Sequence, residues 1–283
     1  MDGDFVRALL SPLVLSLLGL CIGSFLNVVI HRLPMMLEHG WKLDSAEMLG
    51  VKIDAQIAVS LAKPRSRCPS CGHPIAWFEN VPVVSYLWLR GKCSACRTAI
   101  SPRYPVVEIA TGALFAAIGW RFGAAPVALL WCGFAAVLVA LAGIDWDTTL
   151  LPDNLTLPLL WAGLVASALG WTIPLPDALW GAVAGYLSLW SVYWIFKLTT
   201  GKEGMGFGDF KLLAALGAWL GLKMVLPIVL AASVLGAIVG IAMKFASTLR
   251  EGRYVPFGPF LAGAGLVVML AGQSRVLGWL GWI

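Results

Sequence analysis

Ala8-Leu-Leu-Ser-Pro-Leu-Val-Leu-Ser-Leu-Leu-Gly-Leu-Cys-Ile-Gly-Ser-Phe-Leu-Asn-Val-Val29 runs 22 residues without a charged side chain. A helix needs about 20 such residues to cross the hydrocarbon core of a bilayer. The segment therefore reads as a membrane span. The seven residues before it include two acids, and no small-residue cleavage site follows it, so it is expected to stay in place as an anchor rather than be removed as a secretory signal. Seven further apolar runs follow. The eight expected spans cover roughly 8–31, 104–121, 125–143, 154–171, 177–197, 209–222, 224–245 and 256–273. The sixth is short, follows a glycine-rich loop and is expected to be half-buried.

The composition of the whole chain agrees. Of 283 residues, 59% are hydrophobic and 12% charged, with a mean hydropathy of +0.85. Soluble domains carry about 25% charged residues. The expected fold is an all-α polytopic membrane protein of about eight transmembrane helices. Fourteen tryptophans and 31 glycines suit such a bundle, with Trp at the interfaces and Gly at close helix contacts. The net charge of +5 is no argument for a nucleic-acid partner, and none is expected.

One long polar stretch, 33–103, separates the first two spans and, with Arg32 at its edge, holds half of the basic residues. The expected division is a first helix (1–32), a loop domain (33–103) and a transmembrane core (104–283). Within the loop, 41–63 is expected to form a helix against the body or the membrane surface, and no internal repeat is evident. With eight spans, sixteen of the twenty basic residues fall on the side of the loop. Arg7, Arg121, Lys223 and Arg275 fall on the other. This asymmetry places the loop in the cytoplasm.

Cys68-x-x-Cys71 and Cys93-x-x-Cys96 lie on that loop, 21 residues apart. Two such pairs in a reducing compartment read as a closed, structural four-cysteine zinc site of the ribbon type. Cys21 and Cys132, alone in apolar runs, are expected to be core residues.

Acids beside apolar spans are costly and mark candidate functional sites. Asp145 ends the third span in Ile144-Asp-Trp-Asp147, and Asp209 opens the sixth in Gly206-Phe-Gly-Asp-Phe-Lys211. Two carboxylates at one membrane level can share a proton and hydrolyse an amide, one activating water and the other donating to the carbonyl oxygen. Gly206 and Gly208 let backbone approach there. Asp147 is expected to support the site or sit at the interface, and Asp153 to cap a helix or face solvent. Lys211 is expected either to anchor the interface or to tune Asp209, and Glu108 to be a paired structural acid or a lining group. Paired acids would also serve a proton-coupled transporter, and the chain could be a silent assembly scaffold. Neither Gly-x-Ser-x-Gly nor His-Glu-x-x-His is present, which disfavours serine and zinc proteases.

The order of these motifs resembles the type IV prepilin peptidases (leader peptidase and N-methyltransferase). It runs from Gly23-Ser-Phe-Leu-Asn-Val-Val-Ile-His-Arg-Leu-Pro34 through Cys68-Pro-Ser-Cys71, Asn80-Val-Pro-Val-Val-Ser85 and Arg90-Gly-Lys-Cys-Ser-Ala-Cys96. It continues through Ser101-Pro-Arg-Tyr-Pro105, Ile144-Asp-Trp-Asp147 and Leu151-Pro-Asp153 to Gly206-Phe-Gly-Asp-Phe-Lys211. The resemblance implies an aspartic peptidase of the GxGD group in the bacterial inner membrane, with Asp145 and Asp209 catalytic. Its substrates would be type IV prepilins and pseudopilins, cut after a glycine at the cytoplasmic face. It also implies methylation of the new N-terminus from S-adenosylmethionine, a function the tetracysteine loop accompanies, with Gly91 linked to methyl transfer. Loss of methylation would leave a peptidase alone. Asn27, Arg32 and Glu108 are candidates to line the methyl-donor site or the substrate path.

Overall fold

A computed structural model describes residues 3–51, 59–245 and 255–282. Among these residues the regular structure is helical, apart from two isolated β-bridges. Part of the 41–63 segment, and the basic residues Lys52, Arg250 and Arg253, lie outside the described residues. The chain divides into two compact units, Met1–Ala140 and Leu141–Ile283.

The first unit contains α1 (Gly3–Leu9), α2 (Pro12–Leu49), a 3-10 turn (Trp77–Asn80), α3 (Val84–Trp88), α4 (Arg103–Phe122) and the larger part of α5 (Val127–Thr148). Ser11 Oγ caps α2 by accepting the Val14 N–H, Pro12 starts the helix, and Gly50 ends it at φ +64°. The helix does not stop near residue 31 as expected. It runs 38 residues, about 57 Å at 1.5 Å per residue, roughly twice the hydrocarbon thickness. Of the expected helix over 41–63, residues 41–49 form the end of α2 and 59–63 are not helical.

Packing of α2 on α4 rests on small residues. A Cβ on Gly19 would lie 2.8 Å from the Thr111 carbonyl oxygen, and one on Gly23 would lie 2.7 Å from Glu108 Cα. Close approach of this kind takes the place of the hydrophobic effect, which is absent between helices in lipid. Asn27 is spent on the same junction, with Nδ2 donating to the carbonyls of Gly23 (3.2 Å) and Tyr104 (3.1 Å). Cys132 is buried as expected, whereas Cys21 is exposed on α2 and is not a core residue.

The second unit contains the end of α5, α6 (Asp153–Ala168), α7 (Leu175–Thr200), α8 (Phe207–Leu220), α9 (Leu222–Phe245), α10 (Gly258–Ala271) and α11 (Gln273–Trp279). At its centre is α8, which packs against α6, α7, α9 and α10. From Asp209 to Leu220 every residue except Lys211 is buried. A helix that is apolar all round is an interior helix. This explains how 14 residues suffice, and it replaces the expected half-buried helix with one buried almost throughout from Asp209 on. Eight helices fall on the eight expected apolar runs. Five are long and apolar enough to cross a membrane, or six if the bent pair α10–α11 is one span. The remaining two, α6 and α8, have 16 and 14 residues and are shorter than a full span.

Glycine sets the contact between α7 and α8. A Cβ on Gly181 or on Gly217 would meet the other's backbone carbonyl, and one on Gly185 would lie 2.6 Å from the Leu213 carbonyl oxygen. On the opposite side Trp219 Nε1 donates to the Leu159 carbonyl (2.8 Å), and its ring fills the space left by Gly163. Gly181→Ala and Gly217→Ala should each cost about 1–3 kcal/mol through overpacking. Gly263→Ala, where a Cβ meets nothing within 4 Å, should cost nothing. Thermal unfolding of the three variants in detergent measures the difference.

Candidate active site and metal centre

Asp145 lies in the last turn of α5 and Asp209 in the first turn of α8. Both are buried, at 5% and 7% exposure, and close enough for the charge of Asp145 to act on Asp209. Asp145 Oδ2 accepts the Gly258 N–H at 2.9 Å, from the start of α10. The fold thus brings the two predicted acids together and adds a third element that sequence reading missed. Two carboxyl groups this close, away from bulk water, cannot both carry charge at little cost, and a shared proton is the usual resolution.

Backbone crowding explains one glycine before Asp209 and not the other. Leu151, in the turn between α5 and α6, is wedged against Gly208: a Cβ there would lie 2.7 Å from Leu151 Cβ. The same leucine approaches Gly258. By contrast, a Cβ on Gly206 would meet only the Gly208 nitrogen, at 4.0 Å. Gly206 is the extended N-cap of α8, with φ −81° and ψ 152°. At Gly208 the close neighbour is thus the Leu151 side chain, not backbone, and Gly206 borders open space.

Lys211 Nζ contacts both carboxylate oxygens of Asp153, at 2.7 and 2.8 Å. The pair ties the first turn of α8 to the first residue of α6. Asp153 is thus neither a helix cap nor a merely solvated acid; the N-cap position belongs to Pro152. Asp147 is exposed beyond Asp145; residues two apart on a helix do not share a face.

In the loop, the four cysteine sulfurs lie within 4.8 Å of one another, with Cys68 Sγ to Cys96 Sγ at 3.8 Å. Four sulfurs at about 2.3 Å from a tetrahedral zinc would stand about 3.8 Å apart. Two copies of one knuckle hold them. Cys68 N–H donates to the His73 carbonyl and Gly72 N–H to the Cys68 carbonyl. Twenty-five residues on, Cys93 N–H donates to the Thr98 carbonyl and Arg97 N–H to the Cys93 carbonyl. The bridges Arg67–Pro74 and Lys92–Ala99 repeat at the same offset. Gly72 and Arg97 both take left-handed backbone, at φ +72° and +62°. The loop therefore contains an internal repeat, against the expectation of none. The shared Cys-x-x-Cys-x-x-x-Ile of 68–75 and 93–100 is its sequence trace.

The thiols are set up as ligands. Backbone N–H groups of Cys71 and Ser70 lower Cys68 from its ordinary value. The Thr98 hydroxyl, then its amide, lowers Cys96 to about 6. Cys71 moves to about 12: the His73 amide pulls it down, but desolvation and the crowding Cys96, Cys68 and Cys93 sulfurs outweigh that. Sulfurs this crowded cannot all ionise alone, and a cation among them removes the conflict. The donor set and spacing therefore fit a tetrahedral thiophilic metal.

Residues 17–122 match the family model for the bacterial peptidase A24 N-terminal domain, and residues 132–241 match the type IV leader peptidase family. A protein of Stutzerimonas stutzeri named prepilin leader peptidase/N-methyltransferase is 51% identical over 268 residues, covering 93% of this chain and 91% of the relative. One of the same name from Pseudomonas aeruginosa is 52% identical over 263 residues, 91% of this chain and 89% of the relative. The chain belongs to the type IV leader peptidase family. No solved structure matches it. In this chain the first matched segment carries the cysteine knuckles, and the second carries both Asp145 and Asp209.

Three polar residues considered for the methyl-donor site or the substrate path are engaged by backbone groups. Asn27 bonds the helix ends described above. Arg32 donates to the carbonyls of Ser60 and Leu61, and Glu108 Oε2 accepts the Val83 N–H at 2.8 Å. Glu108 is thus the paired structural acid of the two readings. Gly91 takes φ +67° beside Tyr86, whose ring lies 3.0 Å from where a Cβ would stand; a turn glycine is required there.

The contrast between the two motif glycines is testable. Gly208→Ala should destabilise the protein by about 1–3 kcal/mol and impair the site, whereas Gly206→Ala should unfold within about 0.5 kcal/mol of the wild type. Equal thermal shifts for the two variants would contradict the packing described here.

Proposed function

We propose that this chain is a membrane aspartic endopeptidase that removes the leader from type IV prepilins and pseudopilins, cutting after a glycine at the cytoplasmic face. We propose that it then methylates the new N-terminal residue, with S-adenosylmethionine as methyl donor. The observation that carries the peptidase reading is the pair of buried acids, Asp145 in the last turn of α5 and Asp209 in the first turn of α8, in a chain about half identical to named prepilin leader peptidases. In the proposed reaction one carboxylate takes a proton from water as the oxygen attacks the scissile carbonyl. The other, protonated, donates to the carbonyl oxygen and stabilises the tetrahedral intermediate. Proton return to the leaving amine completes the cleavage. Gly208 supports the site by seating Leu151, and Lys211 with Asp153 holds α8 against α6. Asp147 is assigned a supporting place at the membrane surface.

On this reading the loop and the dyad face the cytoplasm from the inner membrane, with lipid around the helices, and the bias of basic residues toward the side of the loop supports it. On this reading 1–32 anchors, 33–103 is the cytoplasmic domain and 104–283 is the peptidase core. Cys68, Cys71, Cys93 and Cys96 would hold zinc, whose four filled positions suit a structural role. For methyl transfer the proposed residue is Gly91, at its left-handed turn beside Tyr86; Asn27, Arg32 and Glu108, candidates to line the methyl-donor site or the substrate path, are engaged by backbone groups.

Cleavage of a purified prepilin in detergent tests the reading. Asp145→Asn and Asp209→Asn should each remain folded and lose at least about 10³-fold in rate. Asp147→Asn and Asp153→Asn should keep most of it. A folded Asn variant at position 145 or 209 that cuts at the wild-type rate would return the chain to the transporter or scaffold class. Separately, metal analysis should find one zinc per chain, lost in Cys68→Ser and Cys96→Ser while α-helical content stays unchanged.

A further inference from the structure

The first turn of α10 is built to present one donor. Four N–H groups at a helix start lack intrahelical partners. Here Pro259 has none to offer, and the N–H groups of Phe260 and Leu261 both return to the Phe257 carbonyl, at 3.1 and 3.2 Å. The Gly258 N–H points instead at Asp145 Oδ2, 2.9 Å away and buried. It also carries the positive end of the helix dipole to that oxygen.

Space is as restrictive as the bond. A Cβ on Gly258 would stand 2.6 Å from Asp145 Oδ2 and 3.1 Å from its Cγ. On its other flank it would meet Leu151 Cδ2 at 3.1 Å, and that leucine is already wedged against Gly208. Its neighbours are side-chain atoms of Asp145 and Leu151, and the tightest is the carboxylate oxygen itself, so a side chain at 258 pushes the carboxylate off its donor.

We infer that Gly258 is a positioning residue of the Asp145/Asp209 site, and that only glycine lets the Asp145 carboxylate reach the α10 amide. The inference rests on the proposed peptidase reading. An oxygen accepting this N–H is not the oxygen that bears a proton. The bond therefore leaves Oδ1 as the atom that exchanges a proton with water or with Asp209. It also fixes the plane of a carboxyl group whose terminal torsion is otherwise broad. Gly258 lies outside the segment that carries the two acids in the matched family model, which ends at residue 241.

The test compares prepilin cleavage by wild type, Gly258→Ala, Gly263→Ala and Asp145→Asn, with a fifth variant carrying glycolic acid at position 258. Glycolic acid replaces the amide by an ester, so it removes the N–H and adds no bulk. Gly258→Ala should lose about 10²-fold in kcat, with KM within a few-fold of wild type. The ester should lose about ten- to a hundred-fold in kcat. Gly263→Ala, on the same helix in open space, should match wild type. Should Gly258→Ala fail to fold, the ester decides alone. An ester with wild-type kcat, or one whose loss lies in KM, overturns the positioning role. If Asp145→Asn also cuts normally, it is the dyad reading that falls; if Asp145→Asn is inactive, the dyad stands without the Gly258 contact.

Discussion

Two carboxyl groups buried among apolar helices are the constraint on which the second unit depends. Neither Asp145 nor Asp209 would persist there without compensation, because an ionised carboxylate deprived of water is costly. The compensation the structure shows is the Gly258 amide on Asp145; a proton shared between the two acids would complete it. To bring those groups together the chain uses three elements far apart in sequence: the end of α5, the start of α8 and the start of α10. Helix termini are where a helix has backbone N–H groups to spare, so a site built from termini is a natural way to hold acids at membrane depth.

The packing follows from that requirement. Because α8 must carry Asp209 into the interior, its residues from 209 to 220 are almost all buried, and its neighbours approach through Gly181, Gly185 and Gly163. Lys211 is the one side chain in that stretch that reaches outward, and it is spent on Asp153. Leu151 fills the corner between Gly208 and Gly258. Substitutions at these positions act on the site through geometry, without contacting a substrate.

Much of this was legible in the sequence, for definite reasons. A charge within an apolar run and a Cys-x-x-Cys pair are rare unless paid for by function, so Asp145, Asp209 and the four cysteines stood out. The apolar runs located the helices, but they did not tell an interior helix from a lipid-facing one. That is why α8 was expected to be half-buried. The extension of α2 beyond residue 31 was hidden because a helix in water needs no apolar run, and Pro34 reads as a stop. The knuckle repeat was hidden because little besides Cys and Ile recurs at a spacing of 25 residues. Gly258 was invisible for a deeper reason. Its contribution is a backbone N–H, which every residue but proline has, and only the fold shows where it points.

The central claim is that Asp145 and Asp209 act as one unit, and a double-mutant cycle on leader cleavage tests it most directly. Rates would be measured for Asp145→Asn, Asp209→Asn and the double variant, all shown to be folded. Groups that share one catalytic task are strongly non-additive. The account predicts that the double variant is no slower than either single variant beyond a few-fold. Losses that multiply, with each single variant retaining substantial activity, would show two independent acids and contradict it.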